Sequence, residues 1–151
     1  MPGMEQSVRH SVLVVTFNQE AYIEQAIASL FHGAVWPDEV IVADDCSGDG
    51  TVDLLMRLRE QYPDRIRVMC NRVNLGIYSN LNQLAPLATG DIVHMLAGDD
   101  WYEPGMFERM NAEIARRGLN PRGERFMLAP DAYWFKDAHL VRRVNRRPRR
   151  S

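Results

Sequence analysis

Short, continuous apolar runs separated by segments of helical period constrain this chain more than any other feature. Residues 11–17 (SVLVVTF), 39–43 (EVIVA) and 91–96 (DIVHML) are rich in β-branched side chains. Each reads as a strand, and the first, continuously apolar, suits a strand buried on both faces. A fourth stretch, 65–70 (RIRVMC), alternates and reads as a strand nearer an edge. Between them lie helices. Residues 19–32 place Ala21, Ile23, Ala26, Ile27, Leu30 and Phe31 on one face, with Gly33 as the stop. Residues 51–62 turn Val52, Leu54, Leu55 and Leu58 inward, ahead of Pro63, and 77–88 read as a helix whose last turn frays at Pro86. Pro104 suits the first position of a helix running to Arg117, capped by Gly118. Residues 126–129 and 132–135 read as further short strands. Strand and helix alternating at this spacing imply right-handed crossovers. The expected fold is α/β: a doubly wound, mostly parallel sheet with helices on both faces.

Length and charge set the remaining bounds. The 151 residues suit one hydrophobic core. The composition, 46% hydrophobic and 25% charged, excludes wholesale disorder and a disulfide-stapled miniprotein. No apolar stretch approaches the roughly 18 residues of a membrane helix. Residues 1–10 lack the apolar core of a signal peptide. Two lone cysteines, Cys46 and Cys70, point to a reduced, cytoplasmic setting. The net charge of −2 is unevenly spread, because the last ten residues carry six arginines and no acid. We therefore divide the chain into one domain, 1–140, and a basic tail, 141–151. The plain reading of that tail is a solvated terminus or linker. A peripheral contact with the inner face of a membrane is the other reading, and no nucleic-acid partner is expected, since no aromatic interleaves the arginines.

In an open parallel sheet, ligands bind outside the carboxyl ends of the strands. The polar residues gather there. Thr16, Phe17 and Asn18 end the first run; Asp44 and Asp45 end the second; Asn71 and Asn74 follow the third; Asp99 and Asp100 follow the fourth. Adjacent carboxylates are costly without a positive partner, and Mg²⁺ or Mn²⁺ with all-oxygen ligation is the simplest one. A turn and helix cap over 44–51 is the plainer reading of Asp49 and Thr51, but it leaves Asp44 and Asp45 without a role. Phe17 either plugs the core or faces the rim. Several sites are excluded by inventory. The only lysine is Lys136, so there is no Gly-Lys-Ser/Thr phosphate loop, and no Gly-x-Gly-x-x-Gly follows the first strand. His10, His32, His94 and His139 lack metal-ligand spacing and read as structural or exposed. Cys46, beside the acidic pair, is a poor nucleophile.

Taken in order, Val14-Val15-Thr16-Phe17-Asn18, Val42-Ala43-Asp44-Asp45-Cys46-Ser47-Gly48-Asp49-Gly50-Thr51, Asn74-Leu75-Gly76, Asn82, Ala88-Thr89-Gly90-Asp91 and Leu96-Ala97-Gly98-Asp99-Asp100-Trp101-Tyr102-Glu103-Pro104 resemble the nucleotide-sugar-binding half of glycosyltransferase family 2, with its GT-A fold. The resemblance runs from about Ser11 to Phe107. It implies an inverting, metal-dependent transferase that moves a sugar from a nucleotide diphosphate-sugar, UDP-linked, to a glycan, lipid or protein acceptor. It implies that Thr16, Phe17, Asn18, Asp44, Asp45, Asn82 and Asp99 bind the nucleotide sugar, and that Asp99 and Asp100 hold Mn²⁺ or Mg²⁺. Two positions depart from the family pattern: Ala97, where many members carry an acid, and Leu81, where many carry arginine. Family members continue for another hundred or so residues that supply the acceptor site and a general base. The chain is therefore expected to be truncated, with no identifiable base; a nucleotide-binding module without the acceptor half is the alternative.

Overall fold

The computed structural model describes residues 7–123 and 128, together with the backbone of 132–136 and 139–144. Four parallel strands form the main sheet: β1 (His10–Thr16), β2 (Glu39–Asp44), β3 (Ile66–Cys70) and β4 (Ile92–Ala97), in the order β3-β2-β1-β4. Parallel neighbours need crossovers, and helices α1 (Ile23–Ser29), α2 (Thr51–Gln61) and α3 (Ile77–Leu84) supply them. The central strands β1 and β2 are buried along nearly their whole length, which is why their sequences are apolar at successive positions rather than alternately. β3 lies at an edge, as its alternation predicts. β4 also alternates: His94 and Leu96 turn inward while Val93 and Met95 stay exposed.

The sheet is covered on both faces. Val12, Val14, Val40, Val42 and Leu96 pack against Ile23 and Ile27 of α1, Leu30 just past its end, Leu55 and Leu58 of α2 and Phe107 of α4 (Met106–Arg117). Leu13, Ile41 and Ala43 pack on the opposite face against Leu84 of α3. Of the residues expected to turn inward from α2, Leu55 and Leu58 are buried and Leu54 is partly so.

Strand ends fall within one residue of the sequence reading, whereas three helices differ by two residues or more, each for a local reason. α1 is shorter, because residues 20–22 form a turn before it. The α3 segment closes in a 3-10 turn over Ala85–Leu87, where Pro86 lacks an N–H for the α-helical ladder. α4 starts at Met106, because Gly105 at φ 76° adopts a left-handed conformation ahead of it. At its other end Gly118, φ 63°, closes the helix, with the Leu119 N–H bonded to the Ile114 carbonyl at 3.0 Å. Beyond α4, β5 (Ala132–Lys136) pairs antiparallel with β6 (His139–Val144). The expected strand at 132–135 is therefore present. β6 has no counterpart in the sequence pattern, and its residues 141–144 occupy the start of the segment that reads as a tail. Of the expected strand at 126–129 only Leu128 is described, outside any strand and packed beside Met106, Met110 and Ile114; the rest of it and the rest of the tail lie outside the described residues. Among the described residues, no helix is long and apolar enough to cross a membrane.

Candidate functional site

The parallel register brings the polar strand ends to one level. Thr16 pairs with Asp44, Asp44 with Cys70, and Val15 with Ala97. The ladder continues one step beyond the strands: Asp45 N–H donates to the Thr16 carbonyl at 2.9 Å, Asn71 N–H to the Asp44 carbonyl at 2.9 Å and Gly98 N–H to the Val15 carbonyl at 3.0 Å. Thr16–Gln19, Asp44–Thr51, Asn71–Gly76 and Gly98–Glu103 thus share one rim.

At this rim the two acidic pairs are unlike. Asp44 and Asp45 are 1% and 3% exposed, yet neither needs a cation. Asp44 accepts the Ser47 N–H at 2.9 Å and the Ser47 hydroxyl at 2.5 Å, forming a closed turn. Asp45 accepts the Leu75 N–H at 2.7 Å and the Asn71 amide at 3.0 Å on Oδ1, and the Gly76 N–H at 2.9 Å on Oδ2. Burial pushes the Asp45 carboxyl up, but donors from Leu75, Asn80, Asn71 and Gly76 outweigh it and lower the group to about 2. The sequence argument that adjacent carboxylates require a positive partner therefore fails here. N–H and O–H dipoles meet the need instead.

Asp99 and Asp100 are exposed, in the loop between β4 and α4. Burial, and after it the Asp99 carboxylate, push the Asp100 carboxyl up. No group of three or more His, Cys, Asp or Glu side chains is arranged for a metal among the described residues. Two exposed carboxylates do fit Mg²⁺ or Mn²⁺, which bind through one or two carboxylates and complete the shell with water and phosphate oxygens. Thus the donor set fits a cation shared with a phosphate ligand better than one held by the protein alone.

Phe17 settles between its two readings: it is 46% exposed and belongs to no core cluster. Its neighbour Asn18, at φ 50°, is held left-handed by two bonds to the β2 loop, its N–H to Ser47 Oγ at 2.9 Å and its Oδ1 from the Gly48 N–H at 2.7 Å. Further bonds join these loops: Gln19 N–H to Thr51 Oγ1 at 2.9 Å, Glu20 N–H to Asp49 at 3.2 Å, and Gly50 N–H to Glu20. Asp49 also accepts the Thr51 N–H at 3.0 Å, but the N-cap of α2 is Gly50, which has no side chain to bond, so the capping expected of Asp49 and Thr51 is replaced by this bond from the residue before the cap. The Thr16 side chain is buried, its hydroxyl 2.8 Å from Gln19 Oε1. Asn82 is exposed on α3, and no hydrogen bond among the described residues ties it to the rim loops. Leu81 packs beside Leu84 on the apolar cluster under α3.

Sequence reasoning missed three contributors. Ser47 closes the Asp44 turn, and its position three residues after an aspartate was the available signal. Gln19 and Asn80 carry no local signal. Asn80 is fully buried and donates to the Gly76 carbonyl at 2.9 Å.

Comparison with known proteins places these features in a family. The model for "Glycosyl transferase family 2" matches residues 11–121. The putative glycosyltransferase EpsE of Bacillus subtilis is 30% identical over 138 residues, covering 91% of this chain and 50% of EpsE. Among solved structures, S. aureus TarS 1-349 in complex with UDP-GlcNAc superposes with a TM-score of 0.65 at 28% identity, covering 73% of this chain and 32% of TarS 1-349. The mannosyltransferase PcManGT of Pyrobaculum calidifontis, in complex with GDP-Man and Mn²⁺, does so with a TM-score of 0.58 at 28% identity, over 65% of this chain and 29% of its own. The chain spans half or less of each of these relatives.

Proposed function

The chain belongs to glycosyl transferase family 2, and from that we propose that it binds the donor in the transfer of a sugar from a nucleotide diphosphate-sugar to an acceptor. The observation that carries the reading is the division of labour at the rim. Asp44 is spent on its turn and Asp45 largely on the loop after β3, while Phe17, Asp99 and Asp100 at the same strand ends keep exposed surface for a ligand. Phe17 offers a ring face to the base, a contact worth roughly 1–3 kcal/mol. Asp45 Oδ2, with one backbone N–H partner, offers an acceptor lone pair to a ring N–H of uracil. Asn18 shapes that pocket. Thr16 and Asp44 act through the loops they hold, and Asp99 faces the ribose and diphosphate. The two structural relatives carry different bases, UDP-GlcNAc in TarS and GDP-Man in PcManGT, so the uridine reading rests on Asp45 and Phe17 alone.

Chemically, we infer a direct displacement with inversion at the anomeric carbon. The acceptor hydroxyl oxygen forms the new bond as the bond to the diphosphate breaks, with its electron pair leaving on the phosphate oxygen. The hydroxyl proton passes to a base that no described residue supplies. Asp99 and Asp100 would hold Mn²⁺ or Mg²⁺, which when bound supplies Lewis-acid charge to the diphosphate. The stitched loops keep the base pocket formed before the donor arrives, which reduces the ordering cost of binding.

The test is calorimetric titration of the protein with UDP in the presence and absence of Mn²⁺, for the unmutated chain and Asp100→Ala. We expect Mn²⁺-dependent binding that the substitution abolishes while the circular dichroism spectrum is unchanged. Equal affinity in the two proteins would remove Asp100 from the site. Donor hydrolysis without transfer, assayed over a panel of nucleotide sugars, would assign this chain the donor site without the acceptor site.

A further inference from the structure

The loop that carries Asp99 and Asp100 leaves β4 and enters α4, and both of those elements are fastened to one buried imidazole. His10, the first residue of β1, is fully buried; His94, inside β4, is 7% exposed. His10 Nδ1 lies 2.9 Å from His94 Nε2, and His10 Nε2 lies 2.8 Å from Asn111 Oδ1 on α4. With an amide oxygen at Nε2, that nitrogen carries the proton, so Nδ1 is bare and accepts the His94 Nε2–H. Reversing the Asn111 amide reverses both bonds and leaves the bridge intact.

Aromatic contacts extend this bridge to the loop. Phe107 of α4 packs against both imidazoles, with ring centroids 5.1 Å from His10 and 5.3 Å from His94. Tyr102, two residues past Asp100, stands edge-on to His94 at 6.2 Å and to Phe107 at 5.9 Å. Its N–H donates to Ser29 Oγ on α1 at 3.0 Å. Aliphatic side chains could fill this volume at no desolvation cost. They would also let α4 slide along the sheet, since dispersion is weakly directional, whereas two hydrogen bonds on one ring fix register as well as distance.

We propose that His10 and His94 are positioning residues for the Asp99–Asp100 loop: the His10 imidazole, bonded to the strand that enters the loop and to the helix that leaves it, sets the separation of the loop's two ends. This rests on the reading of that loop as part of the donor site. The histidines touch no ligand. They act by holding the carboxylates where a bound diphosphate needs them, so that less of the binding energy is used to order the loop.

Amide hydrogen exchange of the full chain, read by mass spectrometry, tests this without any ligand. His94→Leu should speed exchange in residues 98–105 by about tenfold, the net worth of one hydrogen bond, while β2 and α2 exchange as before. His94→Gln, whose amide can donate from the position of Nε2–H, should recover most of the protection. Should His94→Leu fail to fold, Asn111→Leu removes the helix half of the bridge from a half-buried position and should loosen the same residues. Unchanged exchange at 98–105, acceleration spread equally over the sheet, or no recovery with glutamine would each overturn the proposal. Calorimetry with UDP and Mn²⁺ then separates the two readings. Weakened binding in His94→Leu that glutamine restores supports positioning. An unmutated protein that binds no nucleoside diphosphate would overturn the donor-site reading on which the proposed role rests, even where the exchange data uphold the bridge.

Discussion

The Asp45 carboxylate accepts the Gly76 N–H at 2.9 Å, tying the end of β2 to the residue that precedes α3 across 31 positions of sequence. The same side chain takes the Leu75 N–H and the Asn71 amide, so one buried acid organises a whole loop of the rim. Its consequences are separable from those of the exposed acids nearby.

Replacing Asp45 by asparagine removes the charge and turns one acceptor into a donor facing donors. We expect a loss of about 1–3 kcal/mol in urea unfolding, against no measurable loss for Asp99→Asn. The acid limb follows from the lowered carboxyl, about 2 against an ordinary 3.8. Asp45 contributes its stabilisation above the unfolded value and loses it as pH falls from 3.8 toward 2. In Asp45→Asn that part of the acid dependence should be missing from thermal melts.

The histidine pair governs a different pH window. Burial, and then the neighbouring His10, lower the His94 imidazole from 6.5 to about 4. A buried group kept neutral contributes its full stability above the unfolded value and loses it as pH falls from 6.5 to 4, because only the unfolded chain takes up the proton there. For His94 the loss approaches about 3 kcal/mol. Melting temperatures measured from pH 7.5 to 4 should fall in the unmutated protein and fall less in His94→Gln. A flat profile would show that the imidazole titrates normally in the folded chain.

Gly98 is required by its surroundings. A Cβ there would lie 2.7 Å from Thr16 Oγ1 and 2.8 Å from Thr16 Cβ, and would also strike Gln19 Oε1. Thr16 sits on a buried strand and cannot yield, so Gly98→Ala must lift the Asp99–Asp100 loop off β1. Overpacking of this kind costs about 1–3 kcal/mol. We expect binding of UDP with Mn²⁺ to weaken by more than the fall in stability explains, measured by calorimetry beside denaturant unfolding. Unaltered affinity would mean that the loop tolerates the shift.

Base selection can be checked by competition among UDP, CDP, ADP and GDP. Phe17→Ala should weaken all four by roughly 1–3 kcal/mol, since stacking is tolerant of base identity. A carboxylate acceptor at Asp45 favours uracil, whose ring N–H donates, over cytosine, whose equivalent nitrogen accepts. Equal affinity for all four in the unmutated protein would refute the uridine reading while leaving nucleotide-sugar binding in place.

Most of the architecture was legible in the sequence, because strand and helix periods are local. The runs at 11–17, 39–43 and 91–96 needed no partner to be read as strands, and Gly118 ends its helix by its own backbone freedom. A parallel order of these strands is enough to place Thr16, Asp44 and Asp99 at one rim. What the tertiary structure decided was which of those polar groups are already engaged. Asp44 and Asp45 look alike to Asp99 and Asp100 in sequence, yet the first pair is buried and bonded and the second exposed. His10, His94 and Asn111 are likewise ordinary residues until β1, β4 and α4 set them 2.9 and 2.8 Å apart across 84 and 101 positions. The reason is one of range. Propensity and period are fixed by neighbours a few residues away, whereas the donors that satisfy a buried carboxylate or imidazole arrive through strand register and helix packing, which no local pattern encodes.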